Sequence, residues 1–544
     1  MTADSDRGQN RILILGGGFG GVYTAMYLAK KLGRRRDVEI ALVNKQNYFV
    51  FQPMLAEVIS GSLSIYDPVV PIRSLCPSLN LYVGEVPQDG IDLEQKTVTV
   101  CTSERSQPHR VAYDQIVLAL GTLENFQAVP GLAEHGVHFK VLMDGLALRN
   151  RLIHALEAAD VEEDEAIRRA MLTFVMAGGG FSGVEAIAEV NDYIRDAARR
   201  YRRIKPDDIR VILLHAGPRI LPELPEKLSR YAQRLLDKRK VDIRLQTRLG
   251  AVTAEEAILS DGTKIPTRTL MATIGATPNP CLTALPCEQD RGRIVVNEFL
   301  EVPGYPGMWA LGDCARIIDS KSGERCPPTA QYATREAKCL ANNIVAEMNG
   351  KKKQPFSFSA LGMMGSLGHH SAVGDVMGFK VSGLLAWAMW RAIYWAKLPG
   401  FNRKFRVALN WALHPFLGED TVPIDPGTSE EIAYEHFEPG ETVFKQGEQG
   451  DRLFVIVDGE VEVVRENGPG QEQVLAVLAK GECFGEMALI SGAPRGATAR
   501  TKTRVDALTL RRSSFKSLFE NLPQLRQSFE ELVAQRSGSP TKEG

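Results

Sequence analysis

Apolar and polar positions near the start of the chain alternate as a strand, a glycine turn, a helix and a second strand. Residues 11–15 form an apolar run typical of a buried strand, and the glycine-rich segment 16–21 follows directly. Helical spacing comes next, and residues 38–43 predict another strand. A turn of the form Gly-x-Gly-x-x-Gly between such a strand and helix is the arrangement that binds the pyrophosphate of a dinucleotide.

The same arrangement occurs a second time. Residues 172–183 read LTFVMAGGGFSG, and a helical pattern follows them, with a strand predicted at residues 211–214. The chain therefore predicts two dinucleotide sites, one site with a coincidental glycine turn being the alternative. Two later strands end in Gly121 and Gly275, and a third leads into Gly312-Asp313. A carboxylate at Asp313 is suited to a ribityl or ribose hydroxyl.

The segment 380–417 has a different pattern. It contains six basic and no acidic residues, together with four of the chain's five tryptophans. Two amphipathic helices are predicted, with apolar stripes that comprise Leu384, Trp387, Trp390, Tyr394 and Leu398, and then Phe401, Phe405, Ala408, Ala412 and Phe416. Aromatic residues combined with cations favour a helix pair lying in a membrane interface. An ordinary core or dimer helix pair is the alternative.

Beyond a polar, proline-bearing stretch at residues 421–432, short β-type runs alternate with turn glycines. This spacing predicts a small antiparallel barrel or jelly roll. The blocks Phe484-Gly485-Glu486-Met487-Ala488 and Arg495-Gly496-Ala497 stand out within it.

Composition narrows the class of protein. The chain has 544 residues, with 65 Lys and Arg against 66 Asp and Glu, so no basic excess indicates a nucleic-acid partner. The eight cysteines form no Cys-x-x-Cys pair, and no metal site is predicted. No apolar window is long enough to span a bilayer, and the polar N-terminus predicts a protein kept in the cytosol.

Residues 10–420 resemble the type II NADH:quinone oxidoreductases, flavoproteins with two dinucleotide-binding domains. The resemblance is carried by residues 47–58 (NYFVFQPMLAEV), residues 327–333 (PPTAQYA) and Gly183-Val184-Glu185. It implies FAD at the first glycine turn and NADH at the second, with Glu185 and Gln331 as the catalytic residues. The implied FAD residues are Gly16, Gly18, Phe19, Gly20, Gly21, Asn44, Lys45, Gly121, Asp313, Ala330 and Gln331. The implied NADH residues are Gly178, Gly180, Gly183, Glu185, His215 and Gly275.

Three positions depart from the pattern of this family. Asn44 and His215 stand where the family has an acid at the end of the second strand of each unit, and Arg335 replaces a glutamine. An acid at position 215 would bind the ribose 2′-hydroxyl and repel a 2′-phosphate. We therefore expect NADH as the reductant, with NADPH less favoured but not firmly excluded. Arg335 leaves open an acceptor other than a quinone.

The C-terminal blocks resemble the phosphate-binding cassette of cyclic-nucleotide-binding domains. The resemblance implies that Glu486 binds the ribose 2′-hydroxyl and Arg495 the cyclic phosphate, with Phe484, Gly485, Met487, Ala488, Gly496 and Ala497 around them. Gly496 stands where domains that prefer cGMP often have Thr, which favours cAMP. A degenerate domain that binds no nucleotide is the alternative.

The predicted architecture is α/β: two Rossmann-like domains, a helical membrane segment and a β jelly roll. The predicted boundaries are residues 10–135 with 290–350 for FAD, 136–289 for NAD(P)H, 351–420 for membrane binding, 421–432 for a linker and 433–536 for cyclic-nucleotide binding. The expected protein is a non-pumping NADH:quinone oxidoreductase on the cytoplasmic face of the cell membrane, regulated by a cyclic nucleotide and possible as a homodimer. A cyclic-nucleotide-responsive membrane flavoprotein with idle flavin chemistry is the alternative from another class.

Overall fold

The computed structural model describes residues 9–102, 108–137, 139–417, 421–423, 432–448, 450, 452–466, 471–491 and 494–511. The chain divides into two compact units. The first unit comprises residues 1–100 and 110–424, and the second unit comprises residues 425–544 with 101–109. Most of the predicted linker, residues 424–431, and the predicted end of the last domain, residues 512–536, lie outside the described residues.

A five-stranded parallel sheet, here called the first sheet, contains the first glycine turn. Its strands are, in spatial order, Met308–Ala310, Gln115–Leu118, Asn10–Leu15, Val38–Asn44 and Asn80–Val83. The residues of Asn10–Leu15 from Arg11 onward are buried, as expected of a strand with both faces covered. Helix Phe19–Leu32 packs against helix Ala330–Met348 on this sheet. The strand predicted at residues 11–15 is confirmed.

A second five-stranded parallel sheet contains the second glycine turn. Its strands are, in spatial order, Gly136–Val137, Thr269–Ala272, Thr173–Ala177, Arg210–Leu214 and Val241–Arg244. Helices Leu142–Val161 and Phe181–Ala198 bury apolar faces in the same core cluster. In both sheets the carboxyl ends of the central strands meet at one edge, which is where open α/β sheets bind their ligands.

Shorter elements complete the first unit. The small two- and three-stranded sheets comprise Tyr48–Val50 with Val69–Pro71, Ile91–Asp92 with Thr97–Val100 and His109–Ala112, Thr122–Glu124 with Ala276–Pro278, Leu249–Val252 with Glu256–Leu259 and Lys264–Pro266, Gln289–Asp290 with Arg293–Val295 and Ala315–Arg316, and Gly362–Ser366 with Ala372–Val376 and Phe379–Ser382. The remaining helices of four or more residues are Ala56–Ser60, Ile72–Leu75, Leu132–His135, Glu165–Met171, Glu226–Lys238, Pro280–Thr283, Gly383–Lys397 and Phe401–Leu417.

The last two of these helices, Gly383–Lys397 and Phe401–Leu417, are here called the helix pair. Gly400, with φ +88°, lies in the turn between them, and a left-handed backbone favours glycine there. The two predicted helices are therefore present. In the part of the chain that the structure describes, every helix is too short or too polar to cross a bilayer.

The second unit contains two antiparallel four-stranded sheets. One has strands Ile432–Phe437, Val505–Arg511, Arg452–Asp458 and Cys483–Phe484, and the other has strands Thr442–Phe444, Thr498–Thr501, Val461–Glu466 and Glu472–Leu478. Helix Glu486–Ser491 follows the strand Cys483–Phe484. The first strand begins one residue inside the predicted linker. The predicted antiparallel β domain is confirmed.

Candidate functional site

The first glycine turn leaves an open space at the N-terminus of helix Phe19–Leu32. A Cβ on Gly21 would lie 1.8 Å from the carbonyl oxygen of Gly16, so this position requires glycine. A Cβ on Gly18 would meet nothing within 4 Å, and no side chain caps the helix there. Unpaired N–H groups and the helix dipole favour an anion in such a space. The turn therefore fits the pyrophosphate of a dinucleotide.

Asn44 supports this turn directly. Its Oδ1 accepts a hydrogen bond from the backbone N–H of Gly17 at 2.9 Å, and its Nδ2 donates to the carbonyl oxygen of Gln46 at 2.8 Å. The amide thus supplies a neutral acceptor where the family has an acid. The neighbouring Lys45 is exposed and forms an ion pair with Glu85 at 2.5 Å.

Asp313 lies at the carboxyl edge of the first sheet, in the turn that follows Met308–Ala310. Burial raises the pKa of Asp313, and the positive charges of Lys140 and Arg293 oppose this shift. The preceding Gly312, with φ +72°, donates its N–H to Oε2 of Glu336 at 2.8 Å. Burial raises the pKa of Glu336 to about 7. A small cleft lined by Gly312, Asp313 and Glu336 adjoins these residues.

Other residues predicted at the FAD site lie around this edge. Gly121, with φ +63°, has open space where a Cβ would be. A Cβ on Gly20 would lie 3.3 Å from the Leu311 side chain. The ring of Phe19 packs edge-on against Phe49 at 5.0 Å, inside an aromatic cluster, and so supports the turn from the protein side.

The second glycine turn has the same construction. A Cβ on Gly183 would lie 2.0 Å from the carbonyl oxygen of Gly178, and no side chain caps helix Phe181–Ala198 at Gly180. His215 takes the place of Asn44 here, because its Nδ1 accepts the N–H of Gly179 at 3.1 Å. Gly275, with φ +72°, packs against Asn125. Both turns therefore use a neutral acceptor in place of a carboxylate.

Glu185 lies on the second turn of helix Phe181–Ala198 and faces strand Gly362–Ser366. Its Oε1 accepts the backbone N–H of Ser366 at 2.9 Å. A Cβ on Gly365 would lie 2.7 Å from the ring of Phe181, so glycine at this position leaves room for that ring. Burial raises the pKa of Glu185 to about 8, and the nearby Glu57 adds to this shift. At neutral pH this carboxyl group is predominantly protonated.

Gln331 is bound on both sides of its amide. Its Nε2 donates to the carbonyl oxygen of Gly362 at 3.3 Å, and its Oε1 accepts the N–H of Leu361 at 3.1 Å. Ala330 is the first residue of the same helix, Ala330–Met348. The Gln331 side chain therefore holds the start of this helix against the strand that also contacts Glu185.

A buried polar cluster next to Glu185 has no counterpart among the sequence predictions. Glu57 is only 3% exposed, and its carboxylate accepts the indole N–H of Trp411 at 2.7 Å and contacts Arg391 at 3.3 Å. The Arg391 guanidinium lies between the rings of Trp387 and Trp411, at 4.1 and 4.6 Å from their centroids. The sequence did contain one indication of this cluster, since Glu57 is a charged residue within a largely apolar stretch.

The helix pair presents an apolar surface that differs in part from the predicted stripes. Trp390 and Leu398 were predicted on that surface, but each is 1% exposed and faces the core. Trp390 packs against the sheet that contains Ala372–Val376. Leu398 follows the first helix and packs in the core cluster of the first sheet. Within residues 383–413, whose side chains the structure describes, the exposed large apolar residues are Leu384, Leu385, Trp395, Phe401, Phe405, Leu409 and Leu413.

In the second unit, Arg495 is buried under the predicted cyclic-nucleotide cassette. Its Nη1 donates to the carbonyl oxygen of Gly485 at 2.6 Å, its Nη2 to that of Arg452 at 2.7 Å, and its guanidinium lies 4.0 Å from the ring of Phe444. Glu486 is 2% exposed at the start of its helix. Aromatic and backbone contacts thus fix the cation beside Glu486.

The other cassette residues surround this pair. Phe484 stacks on Phe454 at 4.9 Å, Ala488 is buried and Met487 is exposed. A Cβ on Gly496 would meet nothing within 4 Å, and Ala497 follows it with its side chain partly exposed. The cassette residues therefore lie together on one side of the domain.

Three protein families match this chain in consecutive segments. They are pyridine nucleotide-disulphide oxidoreductase over residues 10–337, the NDH2 C-terminal domain over residues 361–420 and the cyclic nucleotide-binding domain over residues 434–521. The type II NADH:quinone oxidoreductase Ndh of Mycobacterium tuberculosis is 31% identical over 431 residues, which are 76% of this chain and 89% of that protein. The demethylphylloquinone reductase NdbB of Synechocystis is 31% identical over 411 residues, 74% of this chain and 96% of that protein.

Solved structures show the same fold. NDH2 from Plasmodium falciparum in complex with NADH has a TM-score of 0.69 at 20% identity, covering 76% of this chain and all of that chain. The sulfide:quinone oxidoreductase of Aquifex aeolicus has a TM-score of 0.57 at 18% identity, covering 75% of this chain and 95% of that chain. Two glycine turns in one fold, the matched families and these relatives lead to one conclusion: the chain belongs to the type II NADH:quinone oxidoreductases, and its C-terminal part belongs to the cyclic-nucleotide-binding domains.

Proposed function

We propose that this enzyme binds FAD at the first glycine turn and NADH at the second, and reduces a membrane quinone. The main support for this proposal is the Glu185 carboxyl group. It lies in helix Phe181–Ala198, which begins at the second glycine turn, and its pKa is raised to about 8. When bound, FAD supplies hydride acceptance from NADH and transfer of two electrons. The chain supplies binding, orientation and proton handling.

Glu185 is the proposed proton donor to the reduced quinone. The N–H of Ser366 is donated to Oε1, so Oε2 is the oxygen proposed to carry the proton of the neutral carboxyl group. Quinone reduction requires two protons, and a carboxyl group with a pKa near the working pH transfers protons well in either direction. Gln331 acts indirectly in this scheme, because it holds the strand that bonds Glu185.

The helix pair is the proposed membrane contact. Phe401 is 82% exposed and Phe405 is 63% exposed, and the cations of the segment are suited to anionic lipid on a cytoplasmic membrane face. The substitution Phe405→Glu should lower cosedimentation with vesicles of phosphatidylglycerol and phosphatidylcholine. The matched control is Phe379→Glu, a substitution of an exposed aromatic residue outside the pair.

The second unit is the proposed regulatory domain, with cAMP as its ligand. Arg495 would bind the cyclic phosphate and Glu486 the ribose 2′-hydroxyl, since a guanidinium bonds phosphate through two parallel N–H groups. Binding changes activity only if cAMP has different affinities for two conformations of the enzyme.

An anaerobic titration tests the proposal. Adding NADH to the full-length yellow protein should bleach its absorption band, and adding a ubiquinone or menaquinone analogue should restore it. Repeating both steps with cAMP measures regulation of each half-reaction. A band that NADH does not bleach would refute the hydride step. A band that bleaches, yet recovers only with oxygen or a dye, would refute the quinone step and favour the alternative acceptor that Arg335 leaves open.

A further inference from the structure

The second glycine turn lacks a carboxylate at the position where relatives of this fold recognise the ribose diol. His215 occupies that position, and its Nδ1 is already used by the N–H of Gly179. The imidazole also lies close to the next glycine, since a Cβ on Gly217 would lie 2.8 Å from Nε2. Burial lowers the pKa of His215, so the ring is predominantly neutral at pH 7. His215 therefore supports the turn without supplying a negative charge.

The carboxylate of Glu223, in the loop that follows strand Arg210–Leu214, lies close to the second glycine turn. The Oε1 of Glu223 lies 3.6 Å from the point that a Cβ on Gly180 would occupy. Its negative charge also acts on His215. Gly180 is the second glycine of the motif, where the backbone approaches the pyrophosphate of a dinucleotide. Glu223 thus places a negative charge beside the nucleotide-binding face of the turn.

The loop that holds Glu223 is fixed to the turn. The N–H of Leu221 donates to the carbonyl oxygen of Gly179 at 2.7 Å, and Leu221 adopts a positive φ of +48° to do so. Leu221 and Leu224, on either side of Glu223 in the sequence, are at most 1% exposed and hold the loop in the core. The Glu223 side chain is exposed. The position of the carboxylate is therefore a property of the folded loop.

The cations near this turn already have partners. Arg219 Nη2 donates to the carbonyl oxygen of Pro222 at 2.8 Å. Arg244 donates to Oδ2 of Asp242 through Nε at 3.1 Å and through Nη2 at 2.9 Å. The charge of Arg244 is therefore paired with Asp242, and the Arg219 guanidinium is held against a neutral carbonyl of the loop that carries Glu223.

We propose that Glu223, eight residues after the position normally used, is the carboxylate that selects the ribose diol of NADH and rejects the 2′-phosphate of NADPH. This proposal rests on the proposed function, since it assumes that the second turn binds the reductant. A carboxylate accepts hydrogen bonds from the two hydroxyls and repels a phosphate dianion.

The test compares full-length holoenzyme with Glu223→Gln, with the exposed Glu226→Gln as a matched control. The first measurement is the NADPH to NADH ratio of kcat/KM with a quinone analogue. The second is the affinity of each protein for ADP-ribose and for its 2′-phosphate, by calorimetry, which requires no turnover. We expect Glu223→Gln to raise two ratios at least tenfold: kcat/KM with NADPH over kcat/KM with NADH, and affinity for the 2′-phosphate of ADP-ribose over affinity for ADP-ribose. Glu226→Gln should leave both ratios within twofold.

Two results would overturn the proposal. One is an unchanged pair of ratios in Glu223→Gln. The other is a shift of the same size in His215→Asn with none in Glu223→Gln, which would assign the selection to position 215. Failure of the proposed function looks different: neither protein would bind ADP-ribose or oxidise NADH, whereas failure of this proposal leaves both properties intact.

Discussion

Replacing Glu185 by Gln removes one titrating group from the site and preserves its size. The Oε1 atom of Gln still accepts the N–H of Ser366, so the strand keeps its anchor. Raising a carboxyl pKa from 4.5 to about 8 raises the free energy of the charged form, relative to the neutral form, by at most about 5 kcal/mol. Each unit of pKa corresponds to about 1.36 kcal/mol. At pH 7 the neutral form of Glu185 then exceeds the charged form about tenfold.

The two half-reactions should respond differently to this change. In stopped-flow measurements from pH 6 to pH 9.5, reduction by NADH should remain within about threefold of wild type, because hydride transfer needs no protein proton. Reoxidation by quinone should fall about 10²-fold or more, the usual size of a general acid contribution. The wild-type reoxidation rate should decline above about pH 8, and the variant should lack that inflection.

Stability gives a second readout with a defined sign. A pKa raised on folding stabilises the folded state below the unfolded pKa, and that contribution is lost as the pH rises towards the folded pKa. Wild-type stability should therefore fall between about pH 4.5 and pH 8 relative to Glu185→Gln in urea unfolding. Parallel stability curves, or an unchanged reoxidation inflection near pH 8 in the variant, would refute the assignment of this titration to Glu185.

Three further substitutions test separate parts of the structure. Gly183→Ala puts a Cβ 2.0 Å from a carbonyl oxygen, so NADH should no longer bleach a flavin that dithionite still bleaches. Arg391→Met leaves the 3%-exposed Glu57 without its cation and should lower the free energy of unfolding in urea by about 3 kcal/mol. Combining Arg391→Met with Glu57→Gln should recover part of this loss. Strict additivity of the two single losses in free energy would contradict the pairing. Arg495→Lys should weaken cAMP binding about 100-fold by calorimetry, and an unchanged affinity would exclude Arg495 as the phosphate ligand.

The sequence predicted the parts of the fold that depend on local pattern. Both glycine turns, their strands and helices, the helix pair and the antiparallel β domain follow from apolar spacing and glycine positions within short windows. The resemblance also directed attention to Glu185 and Asp313, which the structure places at the carboxyl edges of the two sheets. The assignment of each domain and each site residue to a particular ligand stays a prediction, because it concerns contacts with bound ligands.

Contacts between distant segments were not accessible from the sequence. Glu57 and Arg391 are 334 positions apart, and nothing local to either residue specifies the other. The same limit explains why the apolar stripe of the first helix of the pair was wrong at Trp390 and Leu398. Helical spacing shows which residues share a face, but only the packed neighbour decides whether that face meets the core or the solvent.

The distribution of tryptophan gives this protein a built-in optical reporter. Trp309 is fully buried in the first sheet, and the other four indoles belong to the helix pair. Their environments differ, since Trp390 is 1% exposed and Trp395 is 39% exposed. Intrinsic fluorescence therefore comes mainly from one short segment. Changes in emission wavelength or quenching by brominated lipid would report on that segment in the unlabelled wild-type chain, during turnover or nucleotide addition.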